Sequence, residues 1–197
     1  MAREYSRILD AFDEEYSVVG RGEISAKGFE KETGHAVILE KVSRYLENVK
    51  IYPSVAIVSV GAEQLSKTSK ELLEHGVKRI LVERPAGLTL DEIQGLFELT
   101  LRNNAEVYVA YNRRFYSSVK SARKIIEEDG GVESFHFEIT EWGHQIERLS
   151  KLPEIKENWF SGNTSHVVDL AFFLGGAPKD ITCFSSSKTS WHSRSGN

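Results

Sequence analysis

The sequence has 197 residues, 40% hydrophobic and 27% charged, which suits one large globular domain or two small ones. A formal net charge of -4, a pI near 5.9 and the lack of any Lys/Arg-rich run argue against a nucleic-acid or anionic-membrane partner, since either favours a basic face. Cys183 stands alone, which excludes an intrachain disulfide and a paired-thiol zinc site, and the charged opening MAREYSRILDAFDEEY lacks the apolar core of a signal peptide, so a soluble cytoplasmic protein is expected.

In residues 2–12, Tyr5, Ile8, Leu9 and Phe12 fall at i, i+3, i+4 and i+7, the apolar stripe of an amphipathic helix. YSVVGRG (16–22) reads as a short strand entering a glycine turn, and SVAIVSVG (54–61) as a strand buried on both faces. Residues 23–50 between them are polar and ambiguous. A helix at about 62–75 places Leu65, Leu72 and Leu73 on one side and stops at Gly76. VKRILVE (77–83) is the next strand. Thr89 and Glu92 have capping-box spacing before Ile93, Leu96, Phe97 and Leu101, which predicts a second crossover helix, followed by the strand EVYVAY (106–111). Strands alternating with helices at this spacing predict a parallel α/β sheet.

The pattern changes after residue 112. Ser117 or Ser118 can cap a helix carrying Val119, Ala122, Ile125 and Ile126, ended by Gly130 and Gly131. ESFHFEIT (133–140) alternates Phe135, Phe137 and Ile139 with polar residues, as a half-buried strand does. Residues 143–162 read as polar loop or weak helix. SHVVDLAFFLGG (165–176) is apolar almost all round and predicts a buried helix closed by glycine, and DITCFSSSKTSW (180–191) reads as a further strand. The division falls near 112–116, giving 1–112 and 113–197, the second part being α+β.

LVERPAG (81–87), AYNRRFY (110–116), FEITEW (137–142) and NTSHVVDLAFFLGG (163–176), in this order and spacing, resemble the Gfo/Idh/MocA family, the glucose-fructose oxidoreductase-like dehydrogenases. The resemblance runs from residue 2 to about residue 195. It implies a Rossmann domain for NAD or NADP and a second domain whose open, mostly antiparallel sheet closes over a sugar, polyol or related substrate. Hydride transfer at a hydroxyl-bearing carbon or its carbonyl is the implied reaction, and the sheet of the second domain is implied as a homo-oligomer interface.

A Rossmann domain carries G-x-G-x-x-G between its first strand and first helix, where the glycines let a pyrophosphate approach the helix N-terminus. These 197 residues lack that motif, and GRG (20–22) follows the second strand with the wrong spacing. The expectation is a chain truncated at both ends, with the central first strand of the order 3-2-1-4-5-6 missing and cofactor binding impaired. A missing central strand opens a gap of ~10 Å.

The resemblance puts Arg21, Ser59, Glu83 and Pro85 on the cofactor side. Arg21, after the second strand, weakly favours NADP over NAD, against the alternative of an arginine in an exposed turn. Arg84 stands where the family has its lysine. A lysine tuned to a pKa of ~7–8 exchanges a proton, whereas a guanidinium stays charged above ~12. Arg84 therefore either assists binding electrostatically or pairs with Glu83 in the turn. His166 matches the family's active-site histidine, with Gly162 where the motif commonly has aspartate and Asn163 the nearest polar side chain. Asp169, one helical turn beyond His166, is a substrate-side candidate or the partner in a structural His-Asp pair. Asn112 and Arg113 are expected to face the cleft, Arg114 either to join them or to salt-bridge at the domain junction, and Trp142 to stack on a sugar ring or cover a sheet. The remaining histidines have no metal-ligand spacing, so no metal is expected.

Overall fold

A computed structural model describes residues 1–184, 189, 191 and 192. After helix α1 (Ala2–Ala11), the chain alternates β1 (Val18–Gly20), α2 (Glu23–Thr33), β2 (Val37–Leu39), α3 (Val42–Asn48), β3 (Val55–Val58), α4 (Leu65–Glu74), β4 (Arg79–Val82), α5 (Leu90–Arg102) and β5 (Glu106–Val109). Every strand pairing is parallel. The expected α/β architecture is therefore formed, and the polar stretch 23–50, left ambiguous above, is a further helix-strand-helix unit. Its strand is only three residues long, too short for a readable alternation.

The strands form two sheets, β1-β2 and β3-β4-β5, with no ladder between β1 and β3. In the order 3-2-1-4-5-6 that break falls at the place of the first strand. The two sheets are linked instead by helices and side chains. α3 packs on α4 and places Leu46 in the main core, while the Tyr5 hydroxyl of α1 donates to Glu83 at the end of β4 (2.8 Å).

The core lies between β3-β4-β5 and its crossover helices. Val58, Ile80 and Val82 from the strands meet Leu65, Leu72 and Leu73 of α4 and Leu96 of α5. The i, i+7, i+8 leucines of α4 share one face, and the helix closes at Gly76 (φ 90°), where the Val77 amide donates to Leu72 O (3.0 Å). α5 starts with the expected capping box: Thr89 Oγ1 accepts from the Glu92 amide (3.2 Å) and the Glu92 carboxylate accepts from the Thr89 amide (3.4 Å).

After residue 112 the described chain is helical: α6 (Ser117–Glu128), α7 (Gly143–Arg148), α8 (Pro153–Glu157), a π-helical turn (Phe160–Thr164) and α9 (Ser165–Gly175). Four expectations are corrected here. The run 133–140 is not a strand: no neighbouring strand pairs with it, and Phe135 and Phe137 instead pack edge-on against Phe172 of α9. An antiparallel sheet is consequently not formed among the described residues. Residues 180–184 are likewise not in a strand, and most of the rest of that run lies outside the described residues. α9 is half-buried rather than buried: the Phe135-Phe137 run, the 112–115 turn and Arg123 of α6 cover it in part. The N-cap of α6 is Tyr116, with no side-chain cap from Ser117 or Ser118.

The stripe on α1 is also more exposed than its spacing predicts: Ile8 is 50% and Phe12 74% accessible, while the buried residue of that helix is Ser6, bonded to the Tyr16 hydroxyl (2.6 Å). No helix among the described residues is long and apolar enough to cross a membrane.

Leu73 is wholly buried, whereas Phe12 touches the core little. Leu73→Ala is expected to lower the unfolding free energy by about 2–5 kcal/mol in urea titration. Phe12→Ala should change it by less than about 0.5 kcal/mol.

Candidate functional site

Parallel strands present their carboxyl ends along one edge, where the backbone leaves the sheet and loops are free to hold a ligand. Register fixes that edge here: Val58, Val82 and Val109 are aligned, so Ser59, the Glu83-Arg84-Pro85 turn and the 110–115 segment emerge side by side. The Glu83 amide donates to Val58 O (2.9 Å) and the Ala110 amide to Val82 O (2.9 Å), extending the ladders to this point. The turn after β4 has a cis Arg84-Pro85 peptide and is closed by Ala86 N to Glu83 O (3.0 Å). It then packs against the start of α5 through Gly87, where a Cβ would lie 2.9 Å from Glu92 Cβ.

Arg84 projects from this turn across to the π-helical turn, where its Nη1 donates to the Gly162 carbonyl. It makes no ion pair with Glu83, whose carboxylate accepts from Tyr5 instead. Burial is the main influence on the Arg84 guanidinium and lowers its pKa, opposed by Glu83 and Tyr111 and reinforced by Arg113. This tie brings the turn to the beginning of α9 and to His166.

His166 lies four residues beyond Gly162 with its ring edge-on to Tyr111 (centroids 6.0 Å apart, interplanar angle 80°). Its Nδ1 is buried with no hydrogen-bond partner among the described residues. Burial first, then the positive charges of Arg84 and Arg113, push its pKa down to about 4, with Asp169 pulling weakly the other way. The imidazole is neutral at pH 7 and able to accept or donate one proton.

Asp169 does not form the alternative His-Asp pair. Its carboxylate takes both Nε (2.8 Å) and Nη2 of Arg114, whose guanidinium also lies over the rings of Tyr111 and Phe173. The pair locks the 112–115 turn to α9. An open hollow of about 610 Å³ beside it is lined by Tyr111, Arg114, Phe160, Ser165, Asp169 and Phe172 among others; its two charged groups satisfy one another.

The other expected residues lie apart from this group or at its margin. Asn163 is exposed and donates to Glu141 (3.1 Å), which also accepts from Thr164 Oγ1 (3.0 Å). Trp142 is 66% exposed and stacked on His144. Asn112 is exposed, Arg113 half-buried, and Ser59 half-buried at the end of β3. Arg21, after β1, is exposed and reaches only Gln64 (3.4 Å). Sequence reasoning missed Tyr111 as the wall beside His166 and Tyr5 as the partner of Glu83; the strand-end position of Tyr111 was a usable signal, whereas a contact across 78 residues leaves none.

A dinucleotide fits these residues in part. Ser59, Glu83 and Pro85 stand at the carboxyl ends of the strands, and the helix after β1 begins at Glu23 behind Arg21-Gly22, without the G-x-G-x-x-G turn that would bring a pyrophosphate to its N-terminus.

No family model matches the chain. An uncharacterised oxidoreductase of Schizosaccharomyces pombe is 27% identical over 150 residues, 74% of this chain and 40% of that protein. Among solved structures, the WlbA dehydrogenase from Chromobacterium violaceum in complex with NADH and UDP-GlcNAcA aligns with a TM-score of 0.67 at 14% identity, over 88% of this chain and 52% of that one. Levoglucosan dehydrogenase in complex with NADH and levoglucosan aligns at 0.61 with 18% identity, over 81% and 44%. The chain has the fold of these dehydrogenases and spans about half their length or less.

The site makes one direct prediction. Followed by NMR, the His166 ring should titrate near pH 4, and Arg113→Gln should move its midpoint upward because one repelling cation is gone. Since this pKa is depressed on folding, the unfolded chain binds more protons between about 6.5 and about 4, so the contribution of His166 to stability is present above that window and is lost as pH falls through it.

Proposed function

We propose that this chain carries the sheet-edge and histidine components of an NAD(P)-linked oxidoreductase of the Gfo/Idh/MocA type, acting on a hydroxyl or carbonyl of a sugar, polyol or related compound. In this reading residues 1–112 are the nucleotide side and 113–197 the substrate side, with Arg84 and His166 facing the reacting oxygen between them. The observation that carries the reading is the bond from Arg84 to the Gly162 carbonyl. It sets a histidine with an unpartnered ring nitrogen beside the carboxyl edge of a parallel sheet. The solved relatives in complex with NADH support the nicotinamide class of cofactor, and Arg21 favours NADP only weakly.

Within this site the residues divide by chemistry. Neutral His166 can take or give the proton of a substrate hydroxyl. Arg84 can orient that oxygen and stabilise negative charge on it, but it cannot exchange the proton. Asn112 and Arg113 bound the substrate side, while Asp169 acts through Arg114 to hold the turn that carries them.

A second reading, a non-catalytic protein that senses sugars or nucleotides with the same cleft, is favoured by two specific positions. Arg84 replaces the proton-exchanging lysine of the resemblance, and Gly162 offers only a carbonyl where an aspartate is common.

Two measurements test these readings. The chain lacks a phosphate-binding glycine turn, so fluorescence titration with NADH and NADPH should show no saturation at micromolar concentrations; a micromolar dissociation constant for either refutes the impaired-binding part of the proposal. At millimolar cofactor, Arg84→Lys should raise turnover on a panel of sugars and polyols, because a positioned proton-transfer group contributes ~10²–10⁴-fold. Brisk wild-type turnover that Arg84→Lys slows makes Arg84 an adapted orienting residue. If neither protein turns over while both bind sugars, the sensing reading replaces the enzymatic one.

A further inference from the structure

Two arginines act on His166. Arg84 reaches the Gly162 carbonyl four residues before His166, and Arg113 stands two residues after Tyr111, whose ring packs edge-on against His166; both arginines act on the imidazole. Asp169 is paired with Arg114; Glu83 and Glu141 accept only from neutral donors, Tyr5 and Asn163 with Thr164, and Glu83 offsets part of the charge of Arg84. The Arg84 guanidinium spends one donor on the Gly162 carbonyl, a neutral acceptor. Arg113 is half-buried and its side chain has no hydrogen-bond or ion-pair partner among the described residues. A buried imidazole nitrogen without a partner completes the set.

Two neighbouring guanidinium groups, of which only Arg84 has an unpaired carboxylate, Glu83, acting on it, repel one another, and a buried unpartnered ring nitrogen forfeits a hydrogen bond. An oxyanion relieves both at once. A guanidinium presents forked N–H donors that match the two oxygens of a carboxylate or two of a phosphate. An uncharged hydroxyl meets only one condition: it can satisfy the ring nitrogen but leaves Arg113 without a counter-charge.

We propose that the junction of the Arg84 turn, the 112–115 turn and the start of α9 binds an oxyanion carried by the substrate, with Arg113 as its forked partner, Arg84 as the second cation and His166 beside it. This rests on the same cleft as the reading above and narrows its substrate class from neutral sugars to sugar acids or sugar phosphates. Arg84 has lost proton exchange in this arrangement and gained a fixed charge, which suits ligand capture.

The test uses the chain without cofactor, so it is independent of turnover. NMR titrations of the His166 ring with D-gluconate, glucose 6-phosphate, glucose and inorganic sulfate separate the sources. Gluconate or glucose 6-phosphate, whichever carries the fitting oxyanion, should saturate and raise the His166 titration midpoint; glucose should do neither. Arg113→Gln should weaken that binding at least about tenfold, with Arg113→Lys intermediate because the charge remains but the fork is lost. Circular dichroism establishes that each variant is folded, and if Arg113→Gln is not, Arg113→Lys alone carries the comparison. The proposal is overturned if glucose binds as well as both anions, if sulfate binds as tightly as they do, if the folded Arg113 variants bind unchanged, or if no anion perturbs His166. Glucose binding without anion preference leaves the sugar-oxidoreductase reading standing and removes only this inference, whereas anion binding without turnover at millimolar cofactor does the reverse.

Discussion

The hydrogen bond from Arg84 to the Gly162 carbonyl is the contact on which the arrangement of the site depends. One end is anchored by the most regular part of the molecule, since Arg84 leaves β4 directly after the buried Val82 and its turn is pinned on the other side by Gly87 against α5. The other end is a backbone carbonyl in the π-helical turn that leads into α9. A π-turn widens the helix and changes the carbonyls available to outside donors, and such turns recur at functional sites. A hydrogen bond from a charged donor is worth about 1.5–3 kcal/mol, enough to hold a turn but not to organise a domain. The Arg114-Asp169 pair, which clamps the 112–115 turn to the same helix, supplies the second point of attachment.

With both attachments made by arginines, the electrostatics of His166 follow. An ordinary histidine titrates near neutrality, and a carboxylate partner would keep it there or raise it. The nearest carboxylate, Asp169, is held by Arg114 only three residues along the helix, so its influence is outweighed by burial and by the two other arginines. The pairing of Asp169 with Arg114 thus leaves burial first, and the two other arginines second, to keep the imidazole neutral at pH 7. It is also why the His-Asp alternative fails although both residues lie on one helical face: the guanidinium offers two donors in a fixed fork, and the imidazole offers one.

The sheet and crossover helices from residue 54 to 111 were legible in the sequence because each has a strong local signature: apolar β-branched strands, leucines on one face of α4, and the Thr89-Glu92 capping box. Beyond those elements, tertiary context decided. Phe135, Phe137 and Ile139 alternate as a strand should, yet a strand exists only by pairing, and with no partner the two phenylalanines turn to Phe172 instead. The stripe on α1 has helical spacing and forms a helix, but spacing says nothing of what covers it, and Phe12 is left largely exposed. For the site, the Arg84 turn and His166 were readable from motif order. The bond between them, across 78 residues and to a backbone atom, was not, because carbonyl acceptors leave no trace in residue identity.

The glycine at position 162 links these lessons. A Cβ there would sit 3.5 Å from Leu88 Cδ2, an ordinary contact, so space does not require glycine. What the position contributes is its carbonyl, and the arginine that reaches it is long enough to cross from the sheet where its forked head still has donors to spare. An aspartate at 162 would place a carboxylate near Arg84 and His166, cancel the positive excess and pull the imidazole pKa back up. Arginine at 84 and the absence of a carboxylate at 162 therefore act in one direction: both favour the neutral form of the buried His166 ring.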